Sequence, residues 1–134
     1  LPAEAMELEA PIRINRWSLR PDSGGPGAFR GGLGQTKEFE VLDDVDGAIS
    51  FSHRGERHFV AASGAAGGAD GATAHSYIMR KSGGEETIAS KLVTRLFPGD
   101  RLVIETAGGG GFGAPSERAG EASARDRADG KVTR

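Results

Sequence analysis

Apolar residues recur at every second position in several short runs along this chain. Ile12 and Ile14 alternate with Arg13 and Asn15, then Trp17 and Leu19 continue with the phase slipped by one, which predicts a strand containing a bulge. Phe39 and Val41 alternate with Glu38 and Glu40, the pattern of a half-buried strand. Ile49, Phe51 and His53 repeat at period two, Arg54-Gly55 supplies a turn, and Arg57 to Val60 is expected to return as the second arm of a hairpin. Two more strands, Leu92 to Leu96 and Leu102 to Ile104, flank Phe97-Pro98-Gly99-Asp100, whose proline and glycine suit the central positions of a tight turn. The fold class that follows is mainly β.

Two glycine clusters interrupt this pattern. Between Gly24 and Gly34 six of eleven residues are glycine, bracketed by Arg20, Asp22 and Arg30. Dense glycine marks a shaped loop whose main chain either takes positive φ or lets another group approach closely. The three charged residues are candidates to brace that loop or to face a substrate or partner. The second cluster runs from Thr106 through Gly108-Gly109-Gly110-Gly111-Phe112-Gly113 to Pro115. Between the hairpins, Ala61 to Ala74 holds seven alanines and four glycines with no period. Composition alone reads that stretch as a flexible surface loop. The alternative is extended, polyproline-II-like backbone packed against similar segments, for which small side chains are required. Beyond Pro115 the chain is charged and alanine-rich, and a short or frayed terminal helix is expected there, weakened by Gly120. The organisation expected is therefore a β-rich module over residues 1–114 and a charged segment over 115–134.

Composition narrows the function. Leu, Ile, Val and Phe total 26 of 134 residues, a thin supply for a core, while the net charge of −2 is too small for a disordered polyelectrolyte. A glycine-rich chain has extra backbone entropy to lose, so it is expected to borrow buried surface from a partner or from more of its own polypeptide. With no cysteine there is neither a disulfide framework nor a thiolate metal site. No apolar run approaches a membrane span, and the lack of a signal peptide fits a cytoplasmic location, although Leu1 is not a start methionine. The slightly acidic balance, without a basic stripe and interleaved aromatics, argues against nucleic acid.

Several motifs suggest chemistry and fail on context. Asp22-Ser23-Gly24-Gly25-Pro26 looks like the nucleophile loop of trypsin-like proteases, but all three histidines follow Ser23, so Asp22 and Ser23 are expected to cap backbone groups in a structural turn. Gly108, Gly110 and Gly113 satisfy a dinucleotide-binding spacing, yet only 21 residues remain for the helix, second strand and acidic residue that site requires. Neither glycine cluster ends in Gly-Lys-Ser/Thr, so no ATPase-type phosphate loop exists. Asp43-Asp44-Val45-Asp46-Gly47 resembles part of a calcium loop but places Leu42 and His53 where carboxylates are needed. His53, His58 and His75 have no partner carboxylate at ligand spacing, and His53 is expected to pack on the Phe51 face.

Taken in order, Glu7-x-Glu9-x-Pro11, the run Leu19-Arg20-Pro21-Asp22-Ser23-Gly24-Gly25-Pro26-Gly27-x-Phe29-Arg30-Gly31-Gly32-x-Gly34, Ala89-Ser90-Lys91, Pro98-Gly99-Asp100 and Ile104-Glu105-Thr106-Ala107-Gly108-Gly109-Gly110-Gly111-Phe112-Gly113-x-Pro115 resemble the C-terminal part of hydantoinase B proteins. That family includes the B subunits of ATP-dependent N-methylhydantoinases, the matching half of 5-oxoprolinases and related subunits of acetophenone carboxylase. Ala107 departs from the family's usual proline, and the stretch from Ala61 departs from a segment richer in proline and aromatics. The resemblance implies β-sheets in a barrel-like or sandwich arrangement with glycine-rich, polyproline-II-like segments. It implies a C-terminal module or small subunit of an ATP-dependent cyclic amide hydrolase, structural and partner-binding and inactive when isolated. Its partners would be a hydantoinase A-type ATP-binding subunit and the N-terminal part of hydantoinase B, in a hetero-oligomer. No cofactor is expected on this chain, with ATP and a divalent metal held in the partner regions. The alternatives are a piece of an ATP-dependent ketone carboxylase and a non-catalytic β-rich interaction module.

Overall fold

A computed structural model describes residues 2–133 of the chain. Its elements are α1 (Ala3–Glu9), β1 (Ile12–Leu19), β2 (Gln35–Val41), β3 (Ile49–Arg54), β4 (His75–Met79), β5 (Glu85–Thr87), β6 (Lys91–Leu96), β7 (Arg101–Glu105), a 3-10 turn (Pro115–Glu117) and α2 (Gly120–Ala128). The fold is mainly β. Five strands form one sheet in the order β1-β2-β7-β4-β5, and β3 pairs with β6 in a second, two-stranded sheet. Among the described residues no helix is long and apolar enough to cross a membrane.

The chain divides into two compact units, neither contiguous in sequence. The first takes the chain up to Ser18, Thr36–Gly55 and Ser76–Ile104, and the second takes Leu19–Gln35, Glu56–His75 and the chain from Glu105 onward.

The first unit holds the hydrophobic core. Val41, Ile78, Ile88, Leu96 and Leu102 are buried together, with Phe39, Ile49, Phe51, Leu92 and Ile104 packed against them. Of the period-two residues read from the sequence, Phe39, Val41, Ile49 and Phe51 line this core, because alternate side chains of a strand share a face, whereas Trp17 and Leu19 are exposed. Three features differ from expectation. The hairpin arm from Arg57 to Val60 does not form: β3 pairs antiparallel with β6, Ile49 opposite Leu96 and His53 opposite Leu92. Arg57 has a φ of 57°, which breaks an extended run, and Phe59 and Val60 are exposed. The strands β4 and β5 add a hairpin in which Tyr77 faces Thr87 and Met79 faces Glu85. The helix α1 rests on good helix formers (Ala, Glu, Met, Leu) and stops before Pro11, but buries no residue.

At the turn before β7, Asp100 donates its backbone N–H to the Phe97 carbonyl at 2.9 Å, and Gly99 takes a φ of 80°. Pro98 followed by glycine at positive φ is the chemistry of a type II turn. The Asp100 carboxylate is buried and accepts the Phe97 and Lys81 N–H groups at 3.0 Å each and the Arg80 guanidinium at 2.8 Å. Burial pushes this carboxyl up, but the two N–H groups and Arg80 outweigh it and hold it below the usual aspartate value. His53 is buried and stacks on Phe51 with ring centroids 5.7 Å apart, the packing role expected of it.

Candidate functional site

The second unit gathers the two glycine clusters and the alanine-glycine stretch. Extended segments around residues 23–34, 62–72 and 106–113 bond to one another through their main chains rather than through ordinary strand ladders. Gly25 donates to Gly109, Gly109 to Gly32, Gly111 to Ala69, Ala69 to Pro26, Ala72 to Ser23 and Gly108 to Ala72, all at 2.8–3.0 Å. Phe29 and Phe112 exchange both backbone bonds at 2.9 Å. The alanine-glycine stretch is therefore a packed, hydrogen-bonded part of the cluster and not the flexible loop its composition suggests.

Close approach explains the glycines. None of Gly24, Gly25, Gly31, Gly68, Gly108 and Gly111 takes a positive φ. A Cβ at Gly108 would run into the Ser23 carbonyl, at Gly31 into the Gly109 carbonyl, at Gly68 into the Gly111 carbonyl and at Gly111 into the Pro26 carbonyl. Backbones this near leave no room for any side chain, so a stack of such segments can be built only where glycine recurs.

The charged residues singled out from sequence all make contacts within this unit. Arg20 donates through Nη1 to the Thr73 and Thr106 carbonyls at 2.7 and 3.2 Å, and its Nη2 lies 3.6 Å from Glu105. One guanidinium thus ties three separate segments together. Asp22, at a φ of 60°, accepts the Thr133 N–H at 3.0 Å and the Thr133 hydroxyl at 2.5 Å, while its own N–H donates to the Lys131 carbonyl at 2.9 Å. Ser23 is 1% exposed; its hydroxyl donates to the Arg20 carbonyl at 2.6 Å and accepts the Gly34 N–H at 2.8 Å. Both lone-pair and proton of that hydroxyl are committed to the turn, which is the capping role expected instead of nucleophilic chemistry.

Arg30 reaches a residue that no sequence pattern singles out. Its Nε donates to Asp126 at 2.8 Å and its Nη1 to the Gly24 carbonyl at 3.3 Å. Arg118 approaches the same carboxylate oxygen through Nε and Nη2 at 3.0 and 2.8 Å, and its Nη1 donates to the Ala28 carbonyl at 2.9 Å. Asp126 is 3% exposed. Its burial pushes the carboxyl up, yet the Arg30 hydrogen bond and the Arg118 charge win and hold it below the ordinary aspartate value. Arg30, Arg118, Asp126 and Lys131 border an open cleft of about 310 Å³. Arg118 and Asp126 lie in a segment whose many interspersed charges look uniformly solvated, so no local signal marks them.

The remaining motifs stay chemically quiet. The N–H groups of Gly25, Gly31, Gly108, Gly109, Gly111 and Gly113 all donate to carbonyls, so these six donors are not free to cradle a phosphate. After Gly113 the chain enters a 3-10 turn at Pro115 and not the helix a dinucleotide site requires. Asp43 of the acidic turn pairs with Lys81 at 2.6 Å. Among the described residues no group of three or more His, Cys, Asp or Glu could hold a metal ion.

Comparison with known proteins places this geometry in context. The profile described as "Hydantoinase B/oxoprolinase" matches residues 1–115. An uncharacterized protein of Methanocaldococcus jannaschii is 38% identical over 117 residues, covering 87% of this chain and 20% of its own length. Caprolactamase subunit beta of Pseudomonas jessenii is 34% identical over 122 residues, covering 86% and 20%. The crystal structure of the ATP-dependent caprolactamase from Pseudomonas jessenii superposes with a TM-score of 0.81 at 29% identity, over 98% of this chain and 23% of that one. The chain thus spans about a fifth of the length of these two curated relatives.

Proposed function

Because the chain belongs to the hydantoinase B/oxoprolinase family, we propose that it is the C-terminal module or a small subunit of the B component of an ATP-dependent enzyme that opens cyclic amides. Its role there is structural and partner-binding. The neighbouring caprolactamase is named for a lactam, and hydantoin and oxoproline are likewise cyclic amides or imides, so the shared chemistry is attack on a ring amide carbonyl. A resonance-stabilised amide is a poor electrophile and its ring nitrogen a poor leaving group. Coupling to ATP supplies the activation, and in this reading an A-type subunit performs it.

The observation that supports a structural role is the engagement of Arg20, Asp22 and Arg30. Each spends its hydrogen bonds on main-chain groups or on Asp126 and Thr133 of the same chain. Among the described residues no acidic or imidazole set converges, and six of the glycine N–H groups already donate to carbonyls, which supports the reading that ATP and a divalent metal are held in the partner regions. What this chain contributes is a rigid glycine-backbone cluster, locked by charge pairs, on which the catalytic regions are held.

Isolated gently from its source, the chain is expected in native mass spectrometry within an assembly containing an ATP-binding A-type subunit. That assembly is expected to open 5-oxoproline, hydantoin or caprolactam only when ATP is supplied. A lone folded species of 13.9 kDa, or ring opening indifferent to ATP, would overturn the reading. Arg30→Ala separates bracing from substrate contact: bracing predicts loss of the assembly, and contact predicts an intact assembly with a raised substrate requirement.

A further inference from the structure

The two units bury different things. All the residues of the hydrophobic core cluster lie in the first unit. The buried residues of the second are glycines with Ser23, Ala74 and Asp126, while its large apolar side chains Leu19, Phe29, Phe59, Val60 and Phe112 are exposed. Phe29 and Phe112 are 70% and 56% exposed, and their rings meet at a centroid distance of 6.4 Å. A unit whose described residues form no apolar core, and which carries a paired aromatic cluster on its surface, has the composition of one side of an interface.

We propose that the Phe29–Phe112 pair anchors the glycine cluster against the rest of a hydantoinase B polypeptide. This inference rests on the reading that the chain is a B-type module. The two residues exchange backbone hydrogen bonds in both directions, and Ala65 bridges to Phe112 from a third segment. Their backbones are thus fixed before any partner arrives, so little ordering entropy is lost on docking. Rigid aromatic anchors with few rotatable bonds are the side chains that dominate interface energetics.

The relatives select the occupant. In the Methanocaldococcus jannaschii protein and in caprolactamase subunit beta about four-fifths of the length lies outside the region this chain matches. In caprolactamase subunit beta that remaining sequence accompanies the module on one B-type polypeptide, and it is the partner to which the pair is committed. Beside the pair, Arg30 is drawn to Asp126 and Arg118 to Asp126 and the Ala28 carbonyl, which leaves the rings to make the contact.

The test places the photo-crosslinker p-benzoyl-phenylalanine at Phe29 or at Phe112 in the protein within its native assembly. Both replacements keep an aromatic ring at the site, so folding is preserved. Val93, 71% exposed in the first unit, receives the same probe as a control. Irradiation followed by peptide mass spectrometry is expected to give crosslinks from Phe29 and Phe112 to B-type sequence outside this segment, in excess of those from Val93. Crosslinks chiefly to a second copy of this chain, chiefly to the A-type subunit, or no more abundant than at Val93 would each overturn the proposal. The readout uses neither ATP nor substrate. An assembly that crosslinks as expected but leaves cyclic amides intact would sink the proposed function and keep this interface, and the converse would do the reverse.

Discussion

Arg30 and Asp126 stand 96 positions apart in sequence and meet at 2.8 Å, closing the first glycine loop onto α2. The contact joins a residue of the glycine motif to a segment beyond the stretch that the family profile covers. Two guanidiniums share one buried carboxylate, so removing the carboxylate leaves two poorly solvated cations facing each other. Asp126→Ala is expected to lower stability by about 3 kcal/mol, the scale for breaking a buried ion network on one side. Arg30→Ala should cost less, because Arg118 still neutralises Asp126. Paired denaturation curves of the two variants check the order, and equal losses would mean that Arg118 alone does not hold the site.

Asp126 and Asp100 make the protein acid-sensitive. Both carboxyls titrate below the ordinary aspartate value when folded, so the folded state binds fewer protons than the unfolded state as the pH drops past about 4. Stability from these groups is fully present above the unfolded value and is lost as the pH falls through the folded one. Melting temperature is expected to hold level near neutrality and to fall on acidification. Asp126→Asn should flatten part of that fall while lowering the neutral plateau. An unchanged acid slope in Asp126→Asn would show that this carboxylate does not carry the linkage.

Neighbouring glycines in one motif should respond in opposite ways. Gly31→Ala drives a methyl group into the Gly109 carbonyl, and Gly108→Ala into that of Ser23. Main chain cannot swing aside as a long side chain can, so each is expected to cost about 3 kcal/mol, the upper part of the range for overpacking. At Gly32 a Cβ meets nothing within 4 Å and φ is not positive. Gly32→Ala should be neutral or stabilise by up to about 1 kcal/mol, since alanine restricts the unfolded chain. Thermal melts of the three variants decide whether backbone contact or loop flexibility is the reason for glycine here.

How much could be read from sequence depended on the range of the interaction responsible. β1, β2 and β3 were legible because a half-exposed strand writes its own period-two pattern, and β6 and β7 because their apolar runs flank the Phe97–Asp100 turn. β4 was not, since Ser76 and Ile78 are buried but Ser76 is polar, and the strand follows a run of alanine and glycine that reads as loop. The partner of β3 was misplaced because pairing with β6 skips more than thirty residues, whereas a hairpin is the nearest local solution. The same limit applies to the cluster. Glycine density announced a shaped backbone, and Ser23 announced a capped turn, but the identity of the packed neighbours is a long-range property. Asp126 was one carboxylate among many in a charged tail until the fold brought Arg30 and Arg118 to it.

Ser23→Ala isolates the structural reading of the serine from any catalytic one. The hydroxyl accepts the N–H of Gly34 and donates to the carbonyl of Arg20, both in a site closed to water. Truncation leaves a buried N–H without its acceptor, which costs about 1–3 kcal/mol. The loss is local, and Arg20 still bridges Thr73 and Thr106 through its side chain, so the loop should weaken rather than dissolve. A nucleophile would behave otherwise: its removal would abolish turnover and leave the melting temperature nearly untouched. The expected result is a lowered melting temperature in Ser23→Ala, with ATP-dependent ring opening by the assembly retained at temperatures where the variant is folded. Abolished turnover in a variant that melts like the parent would make Ser23 a reacting group and return the loop to the chemistry from which its geometry separates it.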